Sequence, residues 1–423
     1  MAVLLGCIAD DLTGATDLAS FLREAGMQPL LLSGIPDEIP ETNDADALII
    51  ALKSRTAAPA VAVEQCLEAL EWLQAQHCEK YYFKYGSTFD STEHGNIGPV
   101  IDALLDRLQE SMTVACPALP VNGRTQYLGH LFVNGQLLNE SGMEQHPLNP
   151  MIDACLVRVL DRQTSGRVGL VDHRSVEQGP HAITEALIRL HAQGVNYALV
   201  DALRQQDLQA IGQACADLRL VTGGSGLAGA LAEYFRAQGL LGGQRPSLTS
   251  QPVPGEGVIL SGSCSRRTRE QVGVYKELHP AFKVDPEQIA SGELTVGKVI
   301  DWFQSQRQGS AMPMIYASDD PDQVARNQRR LGSERAGELV ESMLGQVATS
   351  LSALGVRKFI VAGGETSGAV IAAMGIRALR IEDSIAPGVP ATRTPGSESH
   401  ILVLKSGNFG DRDFFRQAAG RLQ

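Results

Sequence analysis

Metal-binding and disulfide signatures are missing from this sequence. Its seven cysteines (Cys7, Cys66, Cys78, Cys116, Cys155, Cys215 and Cys264) are scattered, odd in number and never spaced C-x-x-C. That pattern excludes a structural zinc ribbon and a disulfide framework. It predicts reduced thiols serving as small core residues, as in a cytoplasmic protein. The nine histidines include no H-x-x-x-H pair of the kind that holds a metal on one helix face. No run approaches the ~20 apolar residues of a membrane-spanning helix. The opening MAVLLGCIADD has no basic segment and meets two aspartates at once, so it reads as a buried first strand, not a secretion signal. Positive charge is in deficit as well, with a formal net charge of −12. An acidic surface argues against nucleic acid or an anionic membrane as the main partner. A small anionic ligand in a locally basic pocket remains compatible with it.

What is present is a long chain of ordinary globular composition. With 423 residues, 43% hydrophobic and 20% charged, it exceeds one hydrophobic core, and at about 100–200 residues per domain two or three domains are expected. Short apolar runs alternate with helical periods. Val3–Ala9, Ala47–Leu52, Tyr81–Lys84, Val114–Cys116, Val168–Val171, Tyr197–Val200 and Leu218–Thr222 read as strands. Pro59–Gln76, Gly98–Gln109, His181–Gln193 and Leu227–Gln238 read as helices between them. Strand–helix alternation of this kind builds parallel sheets covered on both faces. The segment Gly239–Gly257 is rich in Gly, Pro, Ser and Gln and has no period, which is linker composition. Alternation then restarts at Val258. The expected fold is α/β: two domains, each a largely parallel sheet flanked by helices, over 1–240 and 257–423 with a linker at 241–256. One interruption stands out. In His130–Leu138, Asn134-Gly135 between apolar residues signals a type I′ hairpin. A β-hairpin projecting from the N-terminal domain is expected, as a lid or an oligomer contact, which makes a homodimer an expectation too.

Polar residues gather where these strands end, which is where open α/β sheets bind ligands. Asp10 and Asp11, in ADDLTGA, follow the first strand. Paired carboxylates there can orient hydroxyls, accept a proton or hold magnesium; the alternative is that Asp11 or Thr13 only caps the helix. Arg55 follows the second strand, Lys84, Ser87 and Asp90 follow the third, and Asn122 and Arg124 follow the fourth. Cations of this kind suit a carboxylate, and the Ser, Asn and Asp side chains suit hydroxyls. In the C-terminal half, Leu260-Ser261-Gly262-Ser263-Cys264-Ser265, Ala362-Gly363-Gly364-Glu365-Thr366-Ser367-Gly368 and Lys405-Ser406-Gly407-Asn408 are glycine turns after strands. Free N–H groups at a helix start bind phosphate, and Lys405 is positioned in sequence to neutralise it.

Two further matches read as coincidences. Gly224-Ser225-Gly226-Leu227-Ala228-Gly229 fits G-x-G-x-x-G, but Arg236–Gly255 holds no acidic residue for a dinucleotide ribose. Close helix–sheet packing or an interdomain turn is the preferred reading. Gly292–Lys298 has P-loop spacing, yet Val299 stands where Ser or Thr should bind magnesium.

Taken together, CIADDLTGATDLA, KYGSTFDST, CPALPVNGRTQYLGHLFVNG, LSGSCS, AGGETSG and LKSGNFG resemble the four-carbon acid sugar kinase family through nearly the whole chain. The resemblance implies an N-terminal sugar-acid domain, a C-terminal nucleotide domain, and transfer of the γ-phosphate of ATP to the 4-hydroxyl of 3-oxo-tetronate. It implies ATP contacts at Ser261 or Ser263, at Gly363, Gly364, Glu365 and Thr366, and at Gly407, with Asp10 and Asp11 as the substrate-domain motif. On this reading Asp11, or else Asp10, is the base. Arg55, Lys84 and Arg124 hold the substrate, Glu365 helps hold Mg²⁺, and domain closure completes the site. A kinase of a threonate- or erythronate-type acid and a non-catalytic sugar-acid sensor are the alternatives.

Overall fold

The computed structural model describes residues 3–37, 45–145, 149–241, 253–307, 311–396 and 399–422. Most of the expected linker at 241–256 lies outside the described residues. The chain divides into two compact units, Met1–Pro246 and Ser247–Gln423.

In the first unit the strands are β1 (Leu5–Ala9), β2 (Pro29–Ser33), β3 (Ala47–Ala51), β4 (Lys80–Lys84), β5 (Thr113–Cys116), β6 (Arg124–Tyr127), β7 (His130–Val133), β8 (Gln136–Leu137), β9 (Arg167–Val171), β10 (Val195–Val200) and β11 (Leu220–Gly223). Its main sheet runs β2-β3-β1-β4-β11-β5-β10-β9, and every pairing in it is parallel. Such strands need crossover helices. Several of these helices announce themselves locally. Pro59 and Pro180 occupy the first helical turn of Pro59–Ala75 and Pro180–Ala192, where a missing N–H costs nothing. The helix Leu12–Glu24 is capped by Asp11 and is buried along nearly all its length. The strand Pro29–Ser33 was not among the strands read from sequence.

The expected hairpin is part of a three-stranded antiparallel sheet, β6-β7-β8. Asn134 (φ 51°) and Gly135 (φ 82°) supply the two positive φ values of its turn. Its base is anchored on the body. Gln126 bridges to Ala202 and His130 to Cys155, and the buried Asp201 carboxylate accepts from the N–H groups of Leu128 (2.7 Å) and Gly129 (3.0 Å).

The second unit holds β12 (Glu256–Ser261), β13 (Ala281–Lys283), β14 (Met314–Tyr316), β15 (Val356–Ala362), β16 (Ala378–Ala386), β17 (Val389–Arg393) and β18 (Ile401–Lys405). Its order is β13-β14-β12-β15-β18-β17-β16. The pairings from β13 to β18 are parallel, while β17 runs antiparallel to both β18 and β16. Ile259, Met314, Ile360 and Val403 from these strands pack with Val272, Tyr275, Phe414 and Phe415 in one core cluster.

The glycine motif 224–229 packs helices, as the missing acidic residue suggested. A Cβ on Gly226 would come 2.8 Å from Leu208 Cδ1, and one on Gly229 would come 3.1 Å from Phe21 Cβ. Gly292–Lys298 is a turn leading into the helix Val296–Gln306, capped by Thr295, and it follows a helix, Pro286–Ala290, so no strand feeds it as a P-loop requires.

Gly223 gives a test of how β11 is wedged between β4 and β5. A Cβ there would lie 2.3 Å from the Cys116 carbonyl oxygen and 3.0 Å from Tyr82 Oη. Gly223→Ala should lower the unfolding free energy by roughly 1–3 kcal/mol in a urea titration. An unchanged midpoint would mean that β11 and β5 part freely.

Candidate functional site

In the first unit, parallel register brings three strand ends together. Ala9 pairs with Ala51 on one side and with Lys84 on the other, so the residues after each meet above the same edge. Arg55 joins them. Its Nε and Nη2 donate to the two Asp10 oxygens at 2.9 and 2.8 Å, and its Nη1 lies 2.7 Å from Asp11 Oδ2 and 3.9 Å from Asp90 Oδ2. The loop that carries it is fixed by backbone and side chain. Ser54 and Arg55 donate their N–H groups to the Asp10 carbonyl at 3.0 and 3.1 Å, and Asn96 Nδ2 donates to the carbonyls of Ser54 (2.7 Å) and Ala57 (3.0 Å).

The cap reading of Asp11 is correct, since its Oδ1 accepts from Gly14 N at 2.5 Å. Its Oδ2 faces Arg55 and also accepts from the Thr13 hydroxyl at 3.4 Å. Burial pushes the Asp11 carboxyl up, and the Arg55 charge opposes that shift. Burial also pulls the Arg55 guanidinium down, but Asp10 and then Asp11 outweigh it and keep the cation charged. Arg55 is therefore committed to carboxylates of its own chain, which differs from its expected part as a substrate clamp. Lys84 is buried, with Nζ donating to the Tyr85 carbonyl at 2.9 Å. Gly14 closes the cluster: a Cβ there would sit 2.5 Å from Asp11 Oδ1, 3.0 Å from Lys84 Nζ and 3.2 Å from Arg55 Nη2.

The remaining expected residues surround this group. Asp90 Oδ1 accepts from Thr88 Oγ1 at 2.8 Å, and Asp90 sits at a positive φ of 33°. Ser87 and Asn122 are half-buried. Arg124 Nη1 donates to the Asn122 carbonyl at 2.5 Å, while its buried Nε has no acceptor. An unfilled guanidinium donor in a buried position is costly unless a ligand supplies the acceptor.

Sequence reasoning missed Asp17. It lies on the helix Leu12–Glu24, is 4% exposed, and accepts from Ser225 Oγ at 2.5 Å, while its Oδ1 has no partner. The available signal was the run Thr13, Thr16, Asp17 and Ser20, polar residues on a helix that buries all of them.

In the second unit, the strand ends of β12 and β15 open into a pocket of about 310 Å³. Ser263, Gly363, Gly364, Glu365 and Thr366 all line it, as expected from the sequence. The helix Gly364–Ala373 starts there, and the first N–H groups of a helix have no acceptor within it. Gly363 has φ 120°, and a Cβ on it would meet Thr366 Oγ1 at 3.0 Å and Ser263 N at 3.2 Å. Ser261 does not line the pocket. It is fully buried, with Oγ 2.9 Å from Ser318 Oγ, so of the two expected serines Ser263 is the one placed for a ligand. Gly407 stands behind Ser263, where a Cβ would lie 2.6 Å from Ser263 Oγ. Lys405 is not a phosphate ligand in this arrangement. Its buried ammonium donates to Thr268 Oγ1 (3.0 Å), the Ser406 carbonyl (2.9 Å) and the Gly407 carbonyl (3.1 Å), which fills all three donors. Burial, and after it the Arg267 charge, pull it down to about 7, while those three oxygens favour the charged form.

Among the described residues no group of three or more His, Cys, Asp or Glu forms a metal site. No helix among them is long and apolar enough to cross a membrane.

Comparison with known proteins agrees with this division of chemistry. Residues 5–231 match the family model described as a sugar-binding N-terminal domain. Residues 258–415 match the one described as a nucleotide-binding C-terminal domain. The chain is 53% identical to a Cupriavidus necator protein named 3-oxo-tetronate kinase, over 99% of this chain and 97% of that protein. Among solved structures it resembles a Haemophilus influenzae protein (44% identity, TM-score 0.79, covering 99% of this chain and 100% of that one). It also resembles a Salmonella typhimurium LT2 protein described as a tRNA synthase (42% identity, TM-score 0.88, covering 100% of both chains).

Asp17 gives the first site a pH signature. Burial raises its carboxyl to about 6, with Lys84 and the Ser225 hydroxyl opposing. The folded protein therefore holds this proton more tightly than the unfolded chain, and the ionised carboxylate costs stability above that pH. Asp17→Asn should raise the unfolding free energy at pH 7.5 by up to about 3 kcal/mol, a difference that shrinks below pH 6 and vanishes near pH 4. Urea titrations of both proteins at several pH values measure it. A difference independent of pH would mean that the Asp17 carboxyl titrates alike in the folded and unfolded states.

Proposed function

The chain belongs to the four-carbon acid sugar kinase family, and on that premise we propose that it transfers the γ-phosphate of ATP to the 4-hydroxyl of 3-oxo-tetronate, giving 3-oxo-tetronate 4-phosphate. The observation that carries this reading is the likeness to the Cupriavidus necator kinase along 99% of the chain. The chemistry of the two units supports it. The substrate belongs to residues 1–240, where carboxylates and cations surround strand ends, and the nucleotide to 257–423, where glycine turns face a pocket. The acidic charge of −12 does not favour an RNA substrate of the kind the Salmonella protein's description suggests.

Phosphoryl transfer needs alignment, charge neutralisation and a group that receives the hydroxyl proton. Both Asp10 oxygens are engaged by Arg55, and the Asp10 side chain is 7% exposed against 22% for Asp11. The more exposed Asp11, which shares Arg55 through one oxygen only, is accordingly the base, and Asp10 positions Arg55. Arg124, with its unfilled Nε, holds the substrate carboxylate. Gly364 and Thr366, in the first turn of the helix Gly364–Ala373, present backbone donors to the phosphates, while the Gly363 N–H is held by the Lys405 carbonyl at 2.8 Å and Gly363 shapes the turn. Magnesium keeps most of its ligands from phosphate and water. The pocket carboxylates of Glu365 and Asp319 fit that role through water, and the ion neutralises charge on the transferred group. A reaction fed by ATP belongs in the cytoplasm. A homodimer through the three-stranded sheet would cover the exposed Tyr127 and Leu128.

The test is coupled ADP release with ATP, magnesium and a panel of four-carbon acids: both 3-oxo-tetronate enantiomers, threonate and erythronate. Release that depends on one 3-oxo acid is expected. Release with threonate alone would change the substrate, and saturable binding without release would make the chain a sensor. Asp11→Asn keeps a good helix cap, and it should lower kcat by about 10²–10⁴-fold while ATP affinity stays nearly unchanged. A kcat within about threefold of the parent would leave Asp11 a cap alone.

A further inference from the structure

The phosphate end of the pocket in the second unit is accounted for by its glycine turns. The opposite wall is not. It is built from two helices, Pro321–Leu331 and Ser333–Ala353. The first contributes Val324, Asn327 and Gln328 and the second contributes Ala336, Gly337, Val340 and Glu341. Val324 lies three and four positions from Asn327 and Gln328, and Val340 lies four and three positions from Ala336 and Gly337, so each set shares a face. Val324, Ala336 and Val340 give the wall its apolar surface, Gln328 and Glu341 are polar, and Asn327 is a buried polar group, 6% exposed.

The direction in which Asn327 points follows from its neighbours. Arg326 donates from Nε (3.0 Å) and Nη2 (2.7 Å) to Gln323 Oε1. A guanidinium can only donate, so that end of the Gln323 amide must be oxygen. Gln323 Nε2 is then the donor to Asn327 Oδ1, at 2.8 Å. With its oxygen taken, Asn327 is left with its NH₂ group, and no acceptor among the described residues lies within hydrogen-bond distance of it. The arrangement is a one-way chain, Arg326 to Gln323 to Asn327, that ends in an unused donor on the pocket wall.

We propose that the slot between these helices is the nucleobase subsite, and that the Asn327 amide donates to a ring acceptor of the purine. Val324, Ala336 and Val340 cover the faces of the base. Purine rings carry acceptor nitrogens at their edges, and apolar walls with a few placed polar groups are the common build of small-ligand sites. The arrangement orients the nucleotide: base against the helices, phosphates at Ser263 and Gly363–Thr366. This inference rests on the reading of the pocket as an ATP site. It adds that affinity for the base depends on one side chain held by a relay that never touches the ligand.

Three ligands separate the possibilities. Asn327→Leu should raise KM for ATP about tenfold, the effect of an unmade hydrogen bond, with kcat at saturating ATP and KM for the sugar acid nearly unchanged. Inorganic tripolyphosphate has no base, so its inhibition constant should be the same for the variant and the parent. Gln323→Met, which leaves Asn327 free to turn over, should raise KM for ATP by a smaller factor. Equal ATP affinity in Asn327→Leu, or a parallel loss of tripolyphosphate inhibition, would overturn the assignment. Calorimetry of the unmodified protein with ADP distinguishes the two levels. No binding overturns the kinase reading together with the base slot, whereas normal binding that Asn327→Leu does not weaken overturns the base slot alone.

Discussion

One guanidinium organises the first site. Arg55 is shared by Asp10 and Asp11, two carboxylates on consecutive residues whose mutual repulsion would be severe at the end of a buried strand. Removing one partner of such a buried group costs about 3–5 kcal/mol, because the other charges are stranded without water. The backbone is arranged around this need. The loop after β3 bonds twice to the Asp10 carbonyl, Asn96 ties the loop down, and glycine is required at position 14 because the three charged side chains leave no room for a Cβ. The consequence for function is a division of labour. Asp10 holds the arginine and the arginine holds Asp11 beside the strand edge, which leaves Arg124 as the substrate cation in the function we propose.

The second unit solves a related problem without free charge. The glycine turns of its pocket offer backbone and hydroxyl groups beside the carboxylates of Glu365 and Asp319, and its conspicuous lysine is turned inward. Lys405 stiffens the turn that carries Gly407, with Ser265 and Thr268 donating to the same Gly407 carbonyl at 2.6 and 2.8 Å. A lysine beside a glycine turn in sequence invites a phosphate role. In space the ammonium is satisfied by three oxygens within hydrogen-bond distance, and the glycine turn is what approaches Ser263.

The sheets were legible wherever a strand is a continuous apolar run followed by a turn and a helical period. Leu5–Ala9, Ala47–Ala51 and the Phe359–Ala362 end of β15 are of that kind, and their ends place Asp10, Asp11, Arg55 and Gly363–Thr366 at the sheet edges. Legibility failed for short or half-polar strands. Ala281–Lys283 has three residues, and Val389–Arg393 reads as VPATR, so neither has a pattern to display. The helix Pro321–Leu331 escaped for a different reason. Its sequence PDQVARNQRRL is almost wholly polar and buries only Asn327, so periodicity of apolar residues could not reveal it, even though Asp320 before Pro321 is a helix-start signal. Asp17 escaped because a lone aspartate inside a helix reads as surface. Only tertiary packing against Ser225, more than two hundred residues away, makes it interior.

The distribution of thiols has a practical side. Cys7, Cys66, Cys78, Cys116, Cys155 and Cys215 are buried and belong to the first unit, whereas Cys264 is exposed and belongs to the second. Native protein therefore offers alkylating reagents a single attachment point, at the rim of the pocket in the second unit. A dye placed there would report on occupancy of that pocket. Any further labelling would count openings of the first unit alone, so the two units can be watched separately in one unaltered chain.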